Sequence, residues 1–133
     1  MLNVYIDGAS RGNPGLASLA YSIQRDGTII DEYSEFIGVK TNNQAEYLAF
    51  IKALEKIIEM DEKEVIIYSD SELLVKQVNG LYRVKDLYLK ELFYKAKNLL
   101  TKIKNYKIIH INREDNKRTD KLCNSVLNKQ QSF

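Results

Sequence analysis

The spacing of apolar residues changes along this chain, and that change limits the folds available to it. Three short runs, at residues 3–7, 17–24 and 29–37, are apolar or alternate between apolar and polar, which predicts strands. The turn at residues 25–28 joins the second and third runs as a hairpin. Charged residues then recur at helical spacing from residue 43 to about 60, which predicts an amphipathic helix. We therefore expect three antiparallel strands followed by a helix.

The rest of the chain alternates between helices and single strands. Residues 64–70 form a short apolar run typical of a buried strand, and residues 107–111 form the last strand. Further helices are predicted at 71–78, 86–104 and 116–128. Because a strand that follows a helical crossover usually lies parallel to an earlier one, we expect residues 64–70 beside residues 3–7. The length of 133 residues predicts one α/β domain over residues 1–133.

Composition excludes several classes of protein. A single cysteine, Cys123, rules out an internal disulfide and a cysteine-based zinc site, and a single histidine, His110, rules out a histidine-rich one. No run approaches about 18 apolar residues. The first ten residues also lack the basic start and long apolar run of a signal peptide. We expect a soluble, cytoplasmic protein in which any metal is bound by oxygen ligands.

The charges are distributed unevenly along the chain. Residues 55–72 carry seven acids and two bases, whereas residues 76–107 carry nine bases and two acids. The basic segment also holds five aromatic residues: Tyr82, Tyr88, Phe93, Tyr94 and Tyr106. Interleaved bases and aromatics suit a phosphate backbone with sugars or bases to stack on. The same pattern fits a solvated helix whose aromatics lie in the core, and the sequence leaves both interpretations open.

An aspartate ends each of two predicted strands. Asp7 follows the apolar residues of the first strand, and Asp70 follows those of residues 64–70. Either aspartate alone could simply cap the turn after its strand. If the strands are neighbours, however, the two carboxylates would repel each other unless a cation lies between them. The pair therefore indicates a metal site at the carboxyl edge of the sheet.

Glu46 is a third candidate carboxylate. It lies nine residues before Glu55, which at about 100° per residue places the two on opposite sides of the helix. Since Glu55 belongs to the charged side, Glu46 is expected on the apolar side. An alternative is a capping box in which Glu46 pairs with Asn43, and Thr41 with Gln44 forms a second possible box.

Asp120 is the fourth candidate. Cys123 and Leu127, three and seven residues later, place it on or near a buried stripe of the last helix. An aspartate near a helix start also interacts well with the helix dipole, which is a structural alternative. A set of four carboxylates suits Mg²⁺ or Mn²⁺. Two such ions about 4 Å apart can activate a water and stabilise the leaving oxygen of a phosphodiester.

A glycine-rich loop is predicted at residues 8–15. Its glycines match neither a dinucleotide-binding fingerprint nor a P-loop, but they would let the backbone approach a sugar-phosphate chain closely. Asn13, Asn42 and Asn43 could hydrogen-bond the 2′-hydroxyl that separates RNA from DNA. The same residues could instead form a turn and a helix cap.

The chain carries four motifs that together resemble ribonuclease H of type one: DGASRGNPG, TNNQAE, YSDSELLVKQVNG and NREDNKRTD. They stand in the order and with the spacing of that family, and they cover nearly the whole chain. The resemblance implies a ribonuclease H-like fold, with a five-stranded mixed sheet and helices on both faces. It also implies an endonuclease that hydrolyses the RNA strand of RNA/DNA hybrids, leaving 5′-phosphate and 3′-hydroxyl ends.

The resemblance also assigns roles to individual residues. The metal-binding catalytic acids would be Asp7, Glu46, Asp70 and Asp120, which would hold two Mg²⁺ or Mn²⁺ ions when substrate is bound. The residues implied to line the hybrid groove are Gly8, Ser10, Asn13, Asn42, Asn43 and Glu72. Thr41 would belong to a pocket for a DNA-strand phosphate.

The chain departs from the family pattern in its middle. Many members have glutamine where Glu72 stands, so Glu72 could turn away from phosphate or contact a hydroxyl. Many bacterial members also carry a long basic extension after the second helix, and that extension is missing here. Contacts to the DNA strand would then fall to Tyr82, Arg83 and Lys85.

A second departure precedes the last aspartate. Members of the family usually place a mobile histidine there to help product or metal leave. His110 lies within the predicted strand 107–111, whereas Arg113 lies in the loop that follows. We therefore assign the assisting role to Arg113.

Other functions stay open at this point. The chain could be a non-catalytic nucleic-acid-binding module on the same fold, a nuclease that also cuts double-stranded RNA, or a phosphohydrolase for small substrates. A pure binder gains nothing from four carboxylates beside phosphates, and a small substrate does not need the basic, aromatic segment. The leading prediction is a monomeric enzyme whose partner is an RNA/DNA hybrid.

Overall fold

The structure is a computed structural model and describes residues 1–131. Its elements in chain order are β1 (Leu2–Gly12), β2 (Gly15–Arg25), β3 (Thr28–Lys40), α1 (Asn42–Glu59), β4 (Glu64–Ser69), α2 (Glu72–Val78), α3 (Leu87–Leu100), β5 (Asn105–His110) and α4 (Lys117–Gln131). A short 3-10 helix, Arg113–Asp115, precedes α4. The predicted order of strands and helices is therefore confirmed, and only the 3-10 helix was not predicted.

The five strands form one mixed sheet in the order β3-β2-β1-β4-β5. The first three are antiparallel, and β4 and β5 run parallel to β1. Ile6 of β1 is paired with Ser69 of β4. The next residues along the two strands, Asp7 and Asp70, are therefore neighbours at one edge of the paired region, as the sequence predicts.

The prediction of a loop at residues 8–15 is wrong. β1 continues to Gly12 and pairs with β2 over its whole length, so only Asn13 and Pro14 form the turn. Asp7 accordingly lies within a strand rather than at its end. Glycines disfavour strands on their own, but here the antiparallel ladder to β2 satisfies their backbone groups. β4 also ends one residue earlier than predicted, at Ser69.

Helices cover both faces of the sheet. Alternate residues of β1 (Leu2, Val4, Ile6) are buried in the core cluster that also contains Tyr47 and Phe50 of α1. On the other face, the small side chains of β2 let α4 approach closely. Ser18 is fully buried there and donates from its hydroxyl to the backbone oxygen of Cys123 at 3.0 Å.

The segment between α2 and α3 is short. Residues 79–86 connect the two helices without a further helix or strand, so the expectation that the basic extension is missing is confirmed for this described part of the chain. α3 ends at Leu100, four residues before its predicted end, and residues 101–104 turn into β5. Within residues 1–131, no helix is long and apolar enough to cross a bilayer.

Candidate metal and nucleic-acid site

Three carboxylates from three different elements meet at the carboxyl edge of β4. Asp7 comes from β1, Glu46 from α1, and Asp70 from the residue after β4. Each offers one oxygen, and these oxygens all lie within 4.8 Å of one another. Asp7 and Glu46 are buried, with 5% and 7% of their surfaces exposed. The sequence therefore predicts this convergence correctly.

The direction of Glu46 follows from how α1 begins. Thr41 is the N-cap residue and forms a capping box with Gln44, in which each side chain accepts from the other's backbone N–H, at 3.2 and 2.9 Å. The alternative box between Asn43 and Glu46 is not formed. Glu46 instead points toward β1, where its carboxylate accepts a hydrogen bond from the backbone N–H of Gly8.

Gly8 allows α1 to lie this close to β1. A Cβ added at Gly8 would sit 2.3 Å from the carbonyl carbon of Ala45, which is impossible without moving the helix. The glycine thus sets the distance between the strand that carries Asp7 and the helix that carries Glu46.

The electrostatics of these acids favour a cation. Burial, followed by the charges of Asp70 and Asp120, raises the pKa of Asp7 to about 8. Burial, followed by the Asp7 charge, raises the pKa of Glu46 well above its ordinary value. Burial also raises the pKa of Asp70, opposed by a hydrogen bond from Asn116. Carboxylates held together in this way repel each other when ionised, and an all-oxygen set suits Mg²⁺ or Mn²⁺.

Asp120 lies in the same cleft but outside the tight group of three. It is in the first turn of α4, and its carboxylate is 3.8 Å from a guanidinium nitrogen of Arg113. Its charge acts on both Asp7 and Asp70. The structure thus brings three of the four predicted acids into mutual contact distance and places the fourth on the α4 side of the cleft.

Both candidates for the assisting role lie near Asp70. Arg113 is in the 3-10 helix with 80% of its side chain exposed, and its charge lowers the pKa of Asp70 against the effect of burial. His110 is the last residue of β5, exposed, and acts on Asp70 more weakly. His110 is therefore a strand residue, as predicted, but one at the strand end that faces the site.

Asn116 is a site residue that the sequence did not identify. It is 1% exposed and donates from its amide to the backbone oxygen of Ile6 at 2.8 Å, beside Asp7. Thr119 donates to the Asn116 side-chain oxygen at 2.6 Å. Asn116 therefore ties the start of α4 to the middle of β1 and positions Asp70. Its place just before the last helix suggests a cap, but nothing local reveals this buried, long-range contact.

The cleft above the acids has a volume of about 540 Å³. Its lining includes five other residues predicted for the site: Gly8, Ser10, Asn42, Asn43 and Arg113. It also includes residues that were not predicted, among them the polar side chains of Arg11 and Asn124. The cleft is therefore bounded by the β1–β2 hairpin, the start of α1 and one side of α4.

The predicted groove residues hold the hairpin to α1. The Ser10 backbone N–H donates to the Asn42 side chain, and the Asn42 backbone N–H donates to the Asn13 side chain, both at 3.0 Å. The Ser10 hydroxyl donates to the backbone oxygen of Lys40 at 2.7 Å. Asn43 is exposed at the start of α1. These contacts make the α1 side of the cleft a fixed surface.

Glu72 lies apart from the residues that line the cleft. Its carboxylate accepts from the Lys76 ammonium at 2.6 Å, one helical turn along α2. Lys76 in turn lies 3.3 Å from the Tyr82 hydroxyl, to which it donates. Glu72 is thus turned along the surface of α2 toward Tyr82 rather than toward the acids.

The basic, aromatic segment, residues 76–107, lies largely on the surface of the protein. Leu92, Ala96 and Leu100 supply the core contacts of α3, whereas Tyr82, Tyr88, Tyr94 and Tyr106 are exposed. The interpretation that these tyrosines lie in the core is therefore wrong, although Phe93 packs against the core. Arg83 and Lys85 flank the buried Val84, which anchors the segment.

Comparisons with known proteins identify the family. The family model described as reverse transcriptase-like matches residues 5–126. Ribonuclease HI of Halobacterium salinarum is 39% identical over 127 residues, which cover 95% of this chain and 64% of that protein. A bifunctional protein of Mycobacterium tuberculosis is 32% identical over 91% of this chain and 34% of its own length. The chain thus spans less than two thirds of these relatives.

Solved structures match over nearly their whole length. RNase H1 of Halobacterium salinarum has a TM-score of 0.92 at 39% identity, over 96% of this chain and 98% of that one. LC11-RNase H1, crystallised in complex with RNA/DNA hybrid, has a TM-score of 0.94 at 40% identity, over 99% and 100% of the two chains. This chain, with its mixed sheet and its carboxylates at the edge of β1 and β4, belongs to the ribonuclease H family of type one.

Proposed function

We propose that this protein is an endoribonuclease that hydrolyses the RNA strand of RNA/DNA hybrids. The observation that carries the proposal is the meeting of Asp7, Glu46 and Asp70 within 4.8 Å in a cleft open to solvent. A related structure, LC11-RNase H1, was solved with an RNA/DNA hybrid bound. We further propose that residues 1–133 act as one catalytic domain and as a monomer.

The acids would hold the metal. Asp7, Glu46 and Asp70 form its centre, and Asp120 completes the site from the α4 side. We propose Mg²⁺ or Mn²⁺, with two ions when substrate is present. Such ions supply Lewis-acid stabilisation of the phosphate and an activated water. The protein's own contribution is to fix the oxygens on a strand and a helix, so that little reorganisation is needed during reaction.

The α1 side of the cleft would recognise ribose. Asn42 and Asn43 lie at the start of α1 in the cleft lining, beside the backbone of Gly8 and Ser10. Amide groups placed there can donate to and accept from a 2′-hydroxyl, which DNA lacks. Asn13 holds Asn42 in place, and Glu72, turned toward Lys76, would contact the hybrid only at the edge of the groove.

The surface beyond α1 would bind the DNA strand. Thr41 caps α1, and the free N–H groups of a helix start favour a phosphate. Tyr82, Arg83 and Lys85 continue this surface along the segment between α2 and α3. Arg113, exposed beside Asp120, would help the product leave.

Cleavage of matched duplexes tests this function. Labelled RNA/DNA, RNA/RNA and DNA/DNA duplexes of one sequence are incubated with Mg²⁺, with Mn²⁺ and with chelator. We expect cleavage of the RNA strand of the hybrid only, with 5′-phosphate ends, and no reaction with chelator. If RNA/RNA is cleaved at the same rate as the hybrid, the substrate class would be RNA duplexes and not RNA/DNA hybrids. Binding of the hybrid without cleavage in either metal would show a binding module instead.

A further inference from the structure

Arg11 lies in the cleft without an assigned role. It is near the end of β1, where successive side chains point to opposite faces of the sheet. Ser10 is bonded on the α1 side, through Asn42 and Lys40. Arg11 points the other way and reaches α4. The hairpin thus presents one residue to each side of the cleft.

Three amide side chains of α4 hold the Arg11 guanidinium. One of its terminal nitrogens donates to Asn124 at 3.1 Å and to Asn128 at 2.7 Å. The other terminal nitrogen donates to Gln131. These residues follow Asp120 at helical spacing, so they form one stripe along the side of α4 that faces the hairpin. The guanidinium is therefore fixed in direction.

The charge of Arg11 is not neutralised by these contacts. Amide oxygens orient a guanidinium but carry no net charge, and within residues 1–131 no carboxylate lies within 4.0 Å of Arg11. By contrast, Arg25, Arg113 and Arg118 each pair with an acid. Arg11 thus offers an oriented positive charge on an exposed side chain, which is the form of arginine that suits a phosphate.

The position of Arg11 selects the strand it would meet. Asn124 donates to the backbone oxygen of Asp120 at 3.0 Å, and both line the cleft with Arg11. The surface assigned to the DNA strand, at Thr41, lies on the α1 side. Arg11 lies on the opposite side, where its partners Asn124, Asn128 and Gln131 stand about one, two and three helical turns beyond Asp120. Its guanidinium is therefore roughly 12 Å along α4 from Asp120. A phosphate there belongs to the strand that crosses the acids, and it lies further along that strand than the phosphate at the acids.

We propose that Arg11 binds a phosphate of the RNA strand a few nucleotides from the one that is cleaved, and that Asn124, Asn128 and Gln131 are its positioning residues. This inference rests on the proposed function, since it presupposes an RNA strand over the acids. Arg11 also offsets the negative charge that the four acids present to an incoming phosphate. Fixing its side chain in advance lowers the entropy lost on binding.

Hybrid binding in a D70N background tests the proposal without cleavage. D70N, D70N/R11Q and D70N/R25Q are compared over a series of salt concentrations. R25Q removes the same charge from the far end of β2 and serves as the matched control. We expect R11Q to weaken hybrid binding about fivefold to twentyfold and to lower the salt slope by about 0.9, as for one lost phosphate contact. R25Q should leave both unchanged. Equal effects of R11Q and R25Q would overturn the proposal.

Neutral phosphates then locate the contact. Hybrids carrying a single methylphosphonate at successive positions of the RNA strand, or of the DNA strand, are bound to D70N and D70N/R11Q. The loss of binding caused by R11Q should vanish when the methylphosphonate is at one RNA position within a few nucleotides of the scissile phosphate. If it vanishes at a DNA position, or at none, the assignment is wrong.

A second variant guards against an effect on folding. N128D places a carboxylate beside the guanidinium, which keeps its tie to α4 while cancelling its charge. We expect N128D to retain the melting temperature and to weaken hybrid binding to a similar degree as R11Q. A purely structural role for Arg11 predicts unchanged binding in N128D. If the unmutated protein does not cleave the hybrid, the proposed function is refuted. If it does cleave the hybrid, but R11Q and N128D leave hybrid binding unchanged, only this inference is refuted.

Discussion

The two surfaces that would meet a hybrid differ in how they are built. Asp7 and Glu46 are buried side chains on the middle strand and the longest helix, and they are held together although their charges repel. Arg83 and Lys85 stand on a short connection between two helices and are exposed. A bound metal ion would tolerate little movement of the acids, whereas the connection between α2 and α3 needs only to lie near phosphates.

The two surfaces should also differ in whether they affect the stability of the fold or the binding of the hybrid. The acids weaken the metal-free fold, because burial and mutual repulsion disfavour their ionised forms. The exposed bases contribute little to the fold and act through long-range attraction. Substitutions at the first surface should therefore change catalysis and stability, and substitutions at the second should change affinity and its salt dependence.

Removing one of the proposed metal-binding acids should have the largest effect. D70N leaves the shape of the side chain intact but takes away one charged oxygen, so we expect RNA-strand cleavage to fall at least about 1,000-fold. Hybrid binding should be retained or improved, because repulsion of phosphate is reduced. Single-turnover rates and binding of D70N are compared with those of E55Q, an exposed acid on the outer side of α1. Ordinary turnover by D70N would remove Asp70 from the mechanism.

The close approach of β1 and α1 offers the next largest effect. In G8A the added methyl group would overlap the backbone of Ala45. We expect a loss of about 2–4 kcal/mol in the free energy of unfolding, together with loss of cleavage as Glu46 moves. G38A is the control, since a Cβ there meets nothing within 4 Å and adds only the strain of a positive φ, about 1 kcal/mol. Unfolding by denaturant measures both, and equal losses would contradict the proposed packing.

The pH dependence of stability follows from the raised pKa of Asp7, about 8 against an ordinary 3.8. The folded state then binds more protons than the unfolded state between these values, so metal-free stability should fall as the pH rises from about 4 to 8. D7N removes this loss and should raise the melting temperature in chelator at pH 8 by roughly 3–10 °C. At pH 4 the two proteins should melt alike. A wild-type protein equally stable at both pH values would contradict the burial of Asp7 beside the other acids.

The connection between α2 and α3, residues 79–86, should show a smaller effect, confined to binding. R83Q/K85Q is expected to weaken hybrid binding several-fold and to lower the salt slope by up to about 1.8. The cleavage rate at saturating hybrid should stay unchanged. K102Q/K104Q carries the same charge change at the opposite end of the sheet, where α3 turns into β5, and should bind normally. An equal loss in both variants would mean that only net charge matters.

The smallest effect is expected at the two residues considered for the role of assisting turnover. R113A should lower steady-state turnover a few-fold while leaving the single-turnover cleavage rate intact, because it acts on product release. H110A should change neither. If H110A slows turnover and R113A does not, the histidine holds the assisting role.

Much of the site follows from local patterns. Strand order placed Asp7 beside Asp70, and helical periodicity placed Glu46 on the buried side of α1. Both depend on spacing that is visible in the sequence. The sequence underestimates the length of β1, because the glycines at positions 8 and 12 are typical of a loop. Only the pairing with β2, which satisfies their backbone hydrogen-bonding groups, keeps them in the strand.

The remaining features depend on contacts between distant residues. Asn116 reaches β1 across more than a hundred residues, and Arg11 reaches α4 in the same way. Glu72 turns toward Lys76 rather than the cleft because a cation one turn away competes for it. Asp120 joins the cleft but not the tight group of three, since its position depends on how α4 docks. No local pattern encodes these distances.

We expect the buried acids to bind the divalent cation that catalysis requires. Counting bound Mn²⁺ by electron paramagnetic resonance at pH 8, on the unmutated protein and on E46Q, tests it most directly. We expect at least one bound Mn²⁺ per chain, displaced by Mg²⁺, and a large loss of Mn²⁺ binding in E46Q. Equal Mn²⁺ binding by both proteins, or cleavage of the hybrid that continues in chelator, would contradict it.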